Sequence, residues 1–372
     1  MNVALVHDWL TGMRGGERCL EVLCELFPRA DLYTLLHVPG SVSPAIERRR
    51  IVTSFLQRLP DVERRYRQYL PLFPAAIRAF DLRGYDLVVS LSHAVAKSVQ
   101  VPQQTRHVCY CFTPMRYVWD LYDDYFGARA PLATRLVMPP LAAWLRRWDR
   151  RTAAGVGRFV AISDFVADRI RRAYGRHADV IHPPVDVARF RLEEAPGSFY
   201  LVVSALAPYK RVDLAVAACT RLGRPLVVVG TGPEERRLRA IAGPTVLFRG
   251  WLGDEEIAEL YAGCRAFLFP PLEDFGITPL EAMASGRPVI AFGRGGARET
   301  VVPPGAGASP TGLFFERQTI DDLVEAIQRF EAAPEQFEAK ALRRRAEGFD
   351  LPIFRERMRA YLEAAAPGGY PC

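Results

Sequence analysis

"FYLVVSALAPYKRVDLAVAACTRLGRPLVVVG", residues 199–230, decides the fold. It opens on a short apolar run rich in β-branched residues, the composition of a buried strand. "KRVDLAVAACTRL" follows with amphipathic, helical patterning, and "PLVVVG" is a second apolar run. A strand, a helix and a strand, with neither strand alternating polar and apolar residues, predict a parallel sheet covered on both faces.

The same alternation extends in both directions. Toward the C-terminus come "EERRLRAIAG", "TVLFRG", "DEEIAELYAGC", "AFLFP", "TPLEAMASG" and "PVIAFG". Toward the N-terminus, "NVALVH" (2–7) leads through a glycine loop into "GERCLEVLCELF" (16–27), and "DLVVSLS" (86–92) and "HVCYCF" (107–112) read as buried strands. "RFVAIS" (158–163) runs into "DFVADRIRRAYG", with Asp164 as its expected cap and Gly175 as its stop. At 372 residues the chain is long for one core. "IHPPVDVARFRLEEAPG" (181–197) breaks the pattern with prolines and a glycine. The expected fold is α/β, with two facing Rossmann-like domains over residues 1–185 and 186–372. The last helix, about 351–366, is expected to pack back on the first domain. Ligands of such sheets bind at the carboxyl ends of the strands, so the cleft between domains is the expected site.

Composition excludes several classes. No run reaches the ~18 uninterrupted apolar residues of a spanning helix; the most apolar candidate, "PLATRLVMPPLAAWL", carries Arg135 and Pro139-Pro140. Asp8 interrupts the N-terminal segment where a secretory signal needs a longer apolar region, so a cytoplasmic location is expected. The seven cysteines include no CxxC pair and read as reduced structural thiols. No metal site and no Asp-x-Asp is present, so no cofactor or metal is expected. The charge is uneven: residues 1–190 hold 27 Lys+Arg against 18 Asp+Glu, or +9, and the remainder holds 22 against 24, or −2. Solvated helix faces account for that excess, and so does attraction to an anionic membrane or a phosphate-bearing acceptor. Nucleic acid is not an expected partner, because no binding motif accompanies the arginines.

"LEDFGITPLEAM" (272–283) places Glu273 and Glu281 on either side of Gly276 and a helix start. Thr278 as cap, Pro279 next and Glu281 third form a capping-box pattern, which is a purely structural reading. The same geometry supports a ligand reading, in which free amides at the helix start receive a diphosphate. Carboxylates would repel phosphate, so the two glutamates then accept bonds from hydroxyls at the ligand's ends. A ligand with a central diphosphate and hydroxyls at both ends is a nucleotide sugar.

Lys210, just beyond a strand end, is either a surface lysine at a helix start or a fixed cation for that diphosphate. Gly15-Gly16, between the first strand and its helix, is a plain turn or a close ligand approach. His93 reads as a structural histidine, an acceptor ligand or a base. Lys97 and Arg116 join it as acceptor-side candidates, Arg116 for its planar fork. "VVVGTGPEER" starts like a dinucleotide fingerprint, but Glu235 replaces its third glycine.

"PPLEDFGITPLEAMASGRPVIAFGRGGARETV" closely resembles the Glu-x7-Glu segment of glycosyltransferase family 4, retaining enzymes of the two-domain GT-B fold. "VHDWLTGMRGGER", "TPMRYVWD", "FVAISDFVADRIRRAYG", "VSALAPYKRVDLAV" and "VVVGTGPEERRL" extend the resemblance along nearly the whole chain. It implies that Glu281 holds the nucleotide ribose and that Glu273 contacts the transferred sugar. Backbone of Phe275, Gly276, Ile277 and Thr278 would then lie against sugar and phosphate, and Lys210 would neutralise the diphosphate. The Gly15-Gly16 loop would border the same diphosphate. Two positions depart from the pattern: Ala205 stands where many members carry an arginine, a role Arg211 is placed to take, and Phe112 stands where many carry a histidine. The implied function is metal-independent, retaining transfer of a hexose, with GDP-mannose as donor, to a glycan or lipid-linked acceptor in bacterial polysaccharide assembly. Its rivals are a nucleotide-sugar epimerase on the same fold and an inactive glycan- or membrane-binding module. Donor turnover that requires an acceptor separates the first from both.

Overall fold

A computed structural model describes residues 1–127, 131–195 and 197–365. Two compact units divide it, Met1–Pro183 joined by the chain from Phe354 onward, and Pro184–Ile353. Among the described residues each unit holds one sheet, and every strand pair in both is parallel.

The first sheet has seven strands: β1 (Val3–His7), β2 (Asp31–Thr34), β3 (Ile51–Thr53), β4 (Leu87–Ser92), β5 (Arg106–Cys111), β6 (Arg158–Ala161) and β7 (Ala178–Val180), in the order β3-β2-β1-β4-β5-β6-β7. The second has β8 (Phe199–Val203), β9 (Leu226–Val229), β10 (Val246–Gly250), β11 (Cys264–Phe269), β12 (Val289–Phe292) and β13 (Gly312–Phe315), ordered β10-β9-β8-β11-β12-β13. Both are doubly wound. The chain runs outward from β1 or β8, then returns to the other side of that same strand at β4 or β11. The loops after these paired strands diverge and leave a crevice at each strand order reversal.

The uninterrupted apolar runs have the burial that demanded them: every residue of β1, β4 and β9 is buried. The helix Val212–Leu222 lays Val212, Ala215, Val216 and Cys219 on its sheet and stops at Gly223, whose φ of 64° is left-handed. The helix Asp164–Tyr174 also stops at a glycine, Gly175, but its cap is not Asp164. Ser163, one residue earlier, takes that place, its Oγ accepting the Val166 N–H at 3.0 Å. From Phe354 the C-terminal helix Leu351–Ala365 belongs to the first unit, where Phe354 packs on Tyr110 and the Tyr361 hydroxyl donates to Asp179 at 2.7 Å. All six described cysteines are buried and free, and burial pushes the Cys24 thiol up to about 12. No described helix is long and apolar enough to cross a membrane.

Candidate active site

In the second unit the reversal lies between β8 and β11, and the loops leaving them carry Lys210 and Glu273. Lys210 ends a short turn, Pro208–Lys210, and its Nζ meets Glu273 Oε1 in a close ion pair. The two side chains are 21% and 14% exposed, so the pair borders solvent without being lost in it. The sequence reading assigned these residues to separate parts of one ligand, and the fold brings them together. Arg211 does not join them. It adopts φ 50°, rare for a residue with a Cβ, and its guanidinium turns to Asp213 at 3.1 Å and to the Gln318 carbonyl at 3.4 Å. The loop after β8 exposes Ala205.

The helix after β11 spans Ile277–Ala284, two residues earlier than the capping-box pattern places it. Gly276 is its cap, at φ 89°; Thr278 and Pro279 lie inside the first turn. Only glycine serves at 276, because that φ disfavours side chains and an added Cβ would come within 2.8 Å of the Phe269 ring. The amides of Ile277 and Thr278 have no carbonyl of their own helix to reach, whereas Pro279 has no N–H to satisfy. Phe275 is buried against the Phe349 ring, which leaves only its backbone for a ligand. The Gly296 amide donates to the Glu273 carbonyl at 2.9 Å, and a Cβ on Gly296 would lie 2.3 Å from Phe275 Cα. "GRGGAR" (293–298) therefore braces the glutamate loop by backbone contact.

Glu281, read as a ribose ligand or as the closing acid of a capping box, accepts a bond from the Tyr261 hydroxyl at 2.8 Å. Tyr261 is fully buried, and burial together with the Glu281 charge raises its pKa well above the ordinary value. That tyrosine therefore stays a donor and fixes the carboxylate's aim. Sequence inspection missed it, because "ELYAGC" shows only a core aromatic on a helix.

The first unit has its own reversal, between β1 and β4, and a polar cluster sits there. Asp8, which immediately follows β1, is fully buried. Its carboxylate accepts the backbone N–H groups of His93, Ala94, Val95 and Ala96 at 2.7–2.9 Å. His93 Nδ1 lies 3.1 Å from the same carboxylate, which places the ring proton on Nδ1 and leaves Nε2 as an acceptor. Burial holds His93 below the ordinary histidine pKa against the pull of Asp8, and the charges of His7 and Arg116 add to the depression. Trp9 packs edge-on against this ring at 4.4 Å. Beside it, His7 Nε2 is 3.4 Å from Glu17 Oε1, and His7 Nδ1 is buried with no hydrogen-bond partner among the described residues.

Gly16 lies on this cluster, its Cβ position 3.4 Å from Phe112 and 3.6 Å from His7. Gly15 opens the helix Gly15–Leu26. Arg116 is half-buried at the start of the helix Arg116–Trp119. Lys97 is a correction. It is 1% exposed, its Nζ donates to Asp149 Oδ1 at 2.6 Å, and it lies 4.9 Å from the centroid of the Tyr174 ring. Asp149 in turn accepts from Trp119 and Tyr174, each at 2.8 Å. The turn Ala96–Ser98 aims this lysine into the core, where it neutralises a buried acid. Of the residues sequence reasoning missed, Asp8 had a signal: a strand that ends in "HD" places an acid at a carboxyl edge. Among the described residues no group of three or more His, Cys, Asp or Glu is arranged to hold a metal ion.

Comparison with known proteins agrees with this layout. Residues 13–189 match the family "Glycosyltransferase Family 4", and residues 187–347 match "Glycosyl transferases group 1". A GDP-mannose-dependent alpha-(1-6)-phosphatidylinositol monomannoside mannosyltransferase of Mycobacterium tuberculosis is 29% identical, over 56% of this chain and 66% of that protein. A GDP-mannose-dependent alpha-mannosyltransferase of Mycolicibacterium smegmatis is 35% identical over 43% of this chain and 45% of its own. The chain thus aligns with two thirds or less of these relatives' lengths. Among solved structures, sucrose-phosphate synthase from Thermosynechococcus elongatus superposes with a TM-score of 0.71 at 20% identity, covering 98% of this chain and all of that one. With a family 4 domain followed directly by a group 1 domain, each on its own doubly wound sheet, the chain belongs to the glycosyltransferases of the GT-B fold.

Proposed function

We propose that this protein transfers a hexose, with retention of configuration, from a nucleotide diphosphate sugar to a hydroxyl of a glycan or lipid-linked acceptor. The donor belongs to the second unit and the acceptor to the first. The observation that carries this reading is the Lys210–Glu273 pair, set where β8 and β11 diverge beside the helix start at Ile277. A diphosphate there receives the Lys210 ammonium and the amides of Ile277 and Thr278, which frees the Glu273 carboxylate for hydroxyls of the sugar. Glu281, aimed by Tyr261, accepts from the ribose. As the bond between the anomeric carbon and the phosphate oxygen breaks, its electron pair passes to the diphosphate. Lys210 and the helix start are already in place to stabilise that charge, with no metal in the reaction. The acceptor oxygen forms the new bond on the same face of the sugar, and its proton passes to the departing diphosphate. The relatives' names support mannose and GDP as the donor's parts. His93, neutral and oriented by Asp8, offers Nε2 to an acceptor hydroxyl.

The test is calorimetry of GDP, GDP-mannose and UDP-glucose, with transfer from the sugar that binds. Lys210→Ala should weaken GDP binding by roughly tenfold or more and reduce transfer further. Unchanged GDP affinity in a folded Lys210→Ala protein would remove the diphosphate assignment. Donor turnover at full rate without acceptor would favour the epimerase.

A further inference from the structure

A cavity of about 300 Å³ lies beside β3 in the first unit and shares no lining residue with either reversal. That volume is at the lower end for ligand sites. Three aromatic side chains wall it: Tyr33, Phe80 and Phe55. Tyr33 and Phe80 are buried and meet edge-on, with ring centroids 5.2 Å apart. Phe55 is 42% exposed, yet it is fixed in place. It opens the turn Phe55–Arg58, whose cap Ser54 accepts the Leu56 N–H at 3.2 Å and donates to the Leu35 carbonyl at 2.7 Å. Gln57 in the same turn accepts the His37 N–H at 2.8 Å. An apolar ring is thus held partly in water by a turn with three anchoring bonds.

Polar groups complete the lining. Arg50 and Asp81 are both exposed. Arg50 is set by Asp31 at 3.1 Å, and Asp81 by Arg83 at 2.6 and 2.8 Å. Thr53 adds backbone. Among the described residues β3 is the outer strand of its sheet, and the Ser54 N–H bonds the Thr34 carbonyl at 3.1 Å. Bonding alternates along a strand, so the N–H and carbonyl of Thr53 point away from β2, where the sheet ends.

We infer that this cavity is a subsite for a sugar residue of the acceptor glycan, upstream of the hydroxyl that receives the hexose. A pyranose ring has an apolar C–H face and a rim of hydroxyls, each both donor and acceptor. Aromatic walls beside charges of both signs and a free amide–carbonyl pair match that mixture. A lipid chain would leave the charges unpaired, and Asp81 would repel a phosphate. β3 offers only three residues to an added peptide strand, and short edges resist such pairing. The position agrees. β3 is two strands from β1, about 10 Å at ordinary strand spacing, and Ser54 and Phe55 bring the cavity to the carboxyl edge of the sheet. A glycan whose end meets His93 therefore has an earlier residue within reach of this cavity. The inference rests on reading the first unit as the acceptor side, but sugar binding is measured without donor or transfer.

The experiment is saturation-transfer NMR and calorimetry of the full chain with linear trisaccharides of mannose, glucose and galactose. At least one should bind. Phe55→Ala removes a wall, and Ala79→Trp fills the cavity from an exposed lining position. Each should weaken that trisaccharide by roughly tenfold and leave GDP affinity unchanged. Transfer should favour the trisaccharide over its monosaccharide in the wild type and lose that preference in Phe55→Ala. Binding by none of the three would overturn the subsite, as would wild-type affinity in both variants, folded. A dimer in sedimentation velocity that Ala79→Trp dissolves would overturn it too, and assign the edge to a second copy of this chain. Trisaccharide binding that both variants weaken, with no transfer from any donor, would keep the subsite and remove the transferase reading.

Discussion

Glu273 and Glu281 look alike in sequence, but their partners differ. Glu273 pairs with a cation, and Glu281 accepts from a buried phenol. Glu273→Ala should therefore leave GDP affinity near wild type and lower turnover by ~10²–10³, measured by calorimetry and steady-state transfer. Glu281→Ala should weaken GDP itself. Tyr261→Phe should do so more mildly, because the carboxylate remains but loses its aim. Equal GDP affinity in wild type and Glu281→Ala would end the ribose role. Lys97 calls for a different measurement. Removing its ammonium leaves Asp149 charged and buried, so Lys97→Ala should cost about 3–5 kcal/mol in chemical denaturation.

At the level of elements, both reversals depend on backbone held by side chains or glycines. Asp8 gathers four successive amides after β4, and Gly276 and Gly296 let the loop after β11 close on itself. Asp8→Asn should loosen the first loop and release His93, raising acceptor KM more than it changes GDP affinity. Acid should act here as well. Burial opposes the Glu17 charge, yet the His7 bond and the charges of His7 and His93 hold its carboxyl below the ordinary 4.5. A depressed folded value means its stabilisation is full above the ordinary carboxyl range and is lost as pH falls through the folded value. His93 has the same sign, since its ring is held neutral below the ordinary 6.5. Its share is full above that value and erodes first on acidification. Denaturation midpoints against pH should thus decline in two stages. His93→Gln should remove the stage that begins near 6.5, and Glu17→Gln the stage below 4.5.

The whole molecule repeats one device. Each unit winds its sheet outward from a central strand and back, and each puts its ionisable residues at the reversal: Asp8 and His93 in one, Lys210 and Glu273 in the other. In the proposed mechanism the charge for a leaving diphosphate comes from Lys210 and helix amides, so EDTA should leave both transfer and thermal midpoint unchanged. Activity restored only by added Mg²⁺ or Mn²⁺ would contradict that account.

The alternation of apolar runs and amphipathic segments determined by itself that this chain forms parallel sheets, since only strands buried on both faces can be apolar throughout. "LEDFGITPLEAM" likewise carried its glutamates and its helix start in plain view, because glycine and proline chemistry is local. What local chemistry does not hold is which distant residue meets which. Lys210 and Glu273 are 63 residues apart, and Asp8 and the amides it binds are 85 to 88 apart. Strand order joins them, and strand order is set by how the crossovers pack. The same cause misplaced Lys97, whose charge reads as surface until a helix more than 50 residues later buries Asp149 against it. It hid Tyr261 as well, since a buried phenol becomes a positioning group only when the fold sets a carboxylate against it.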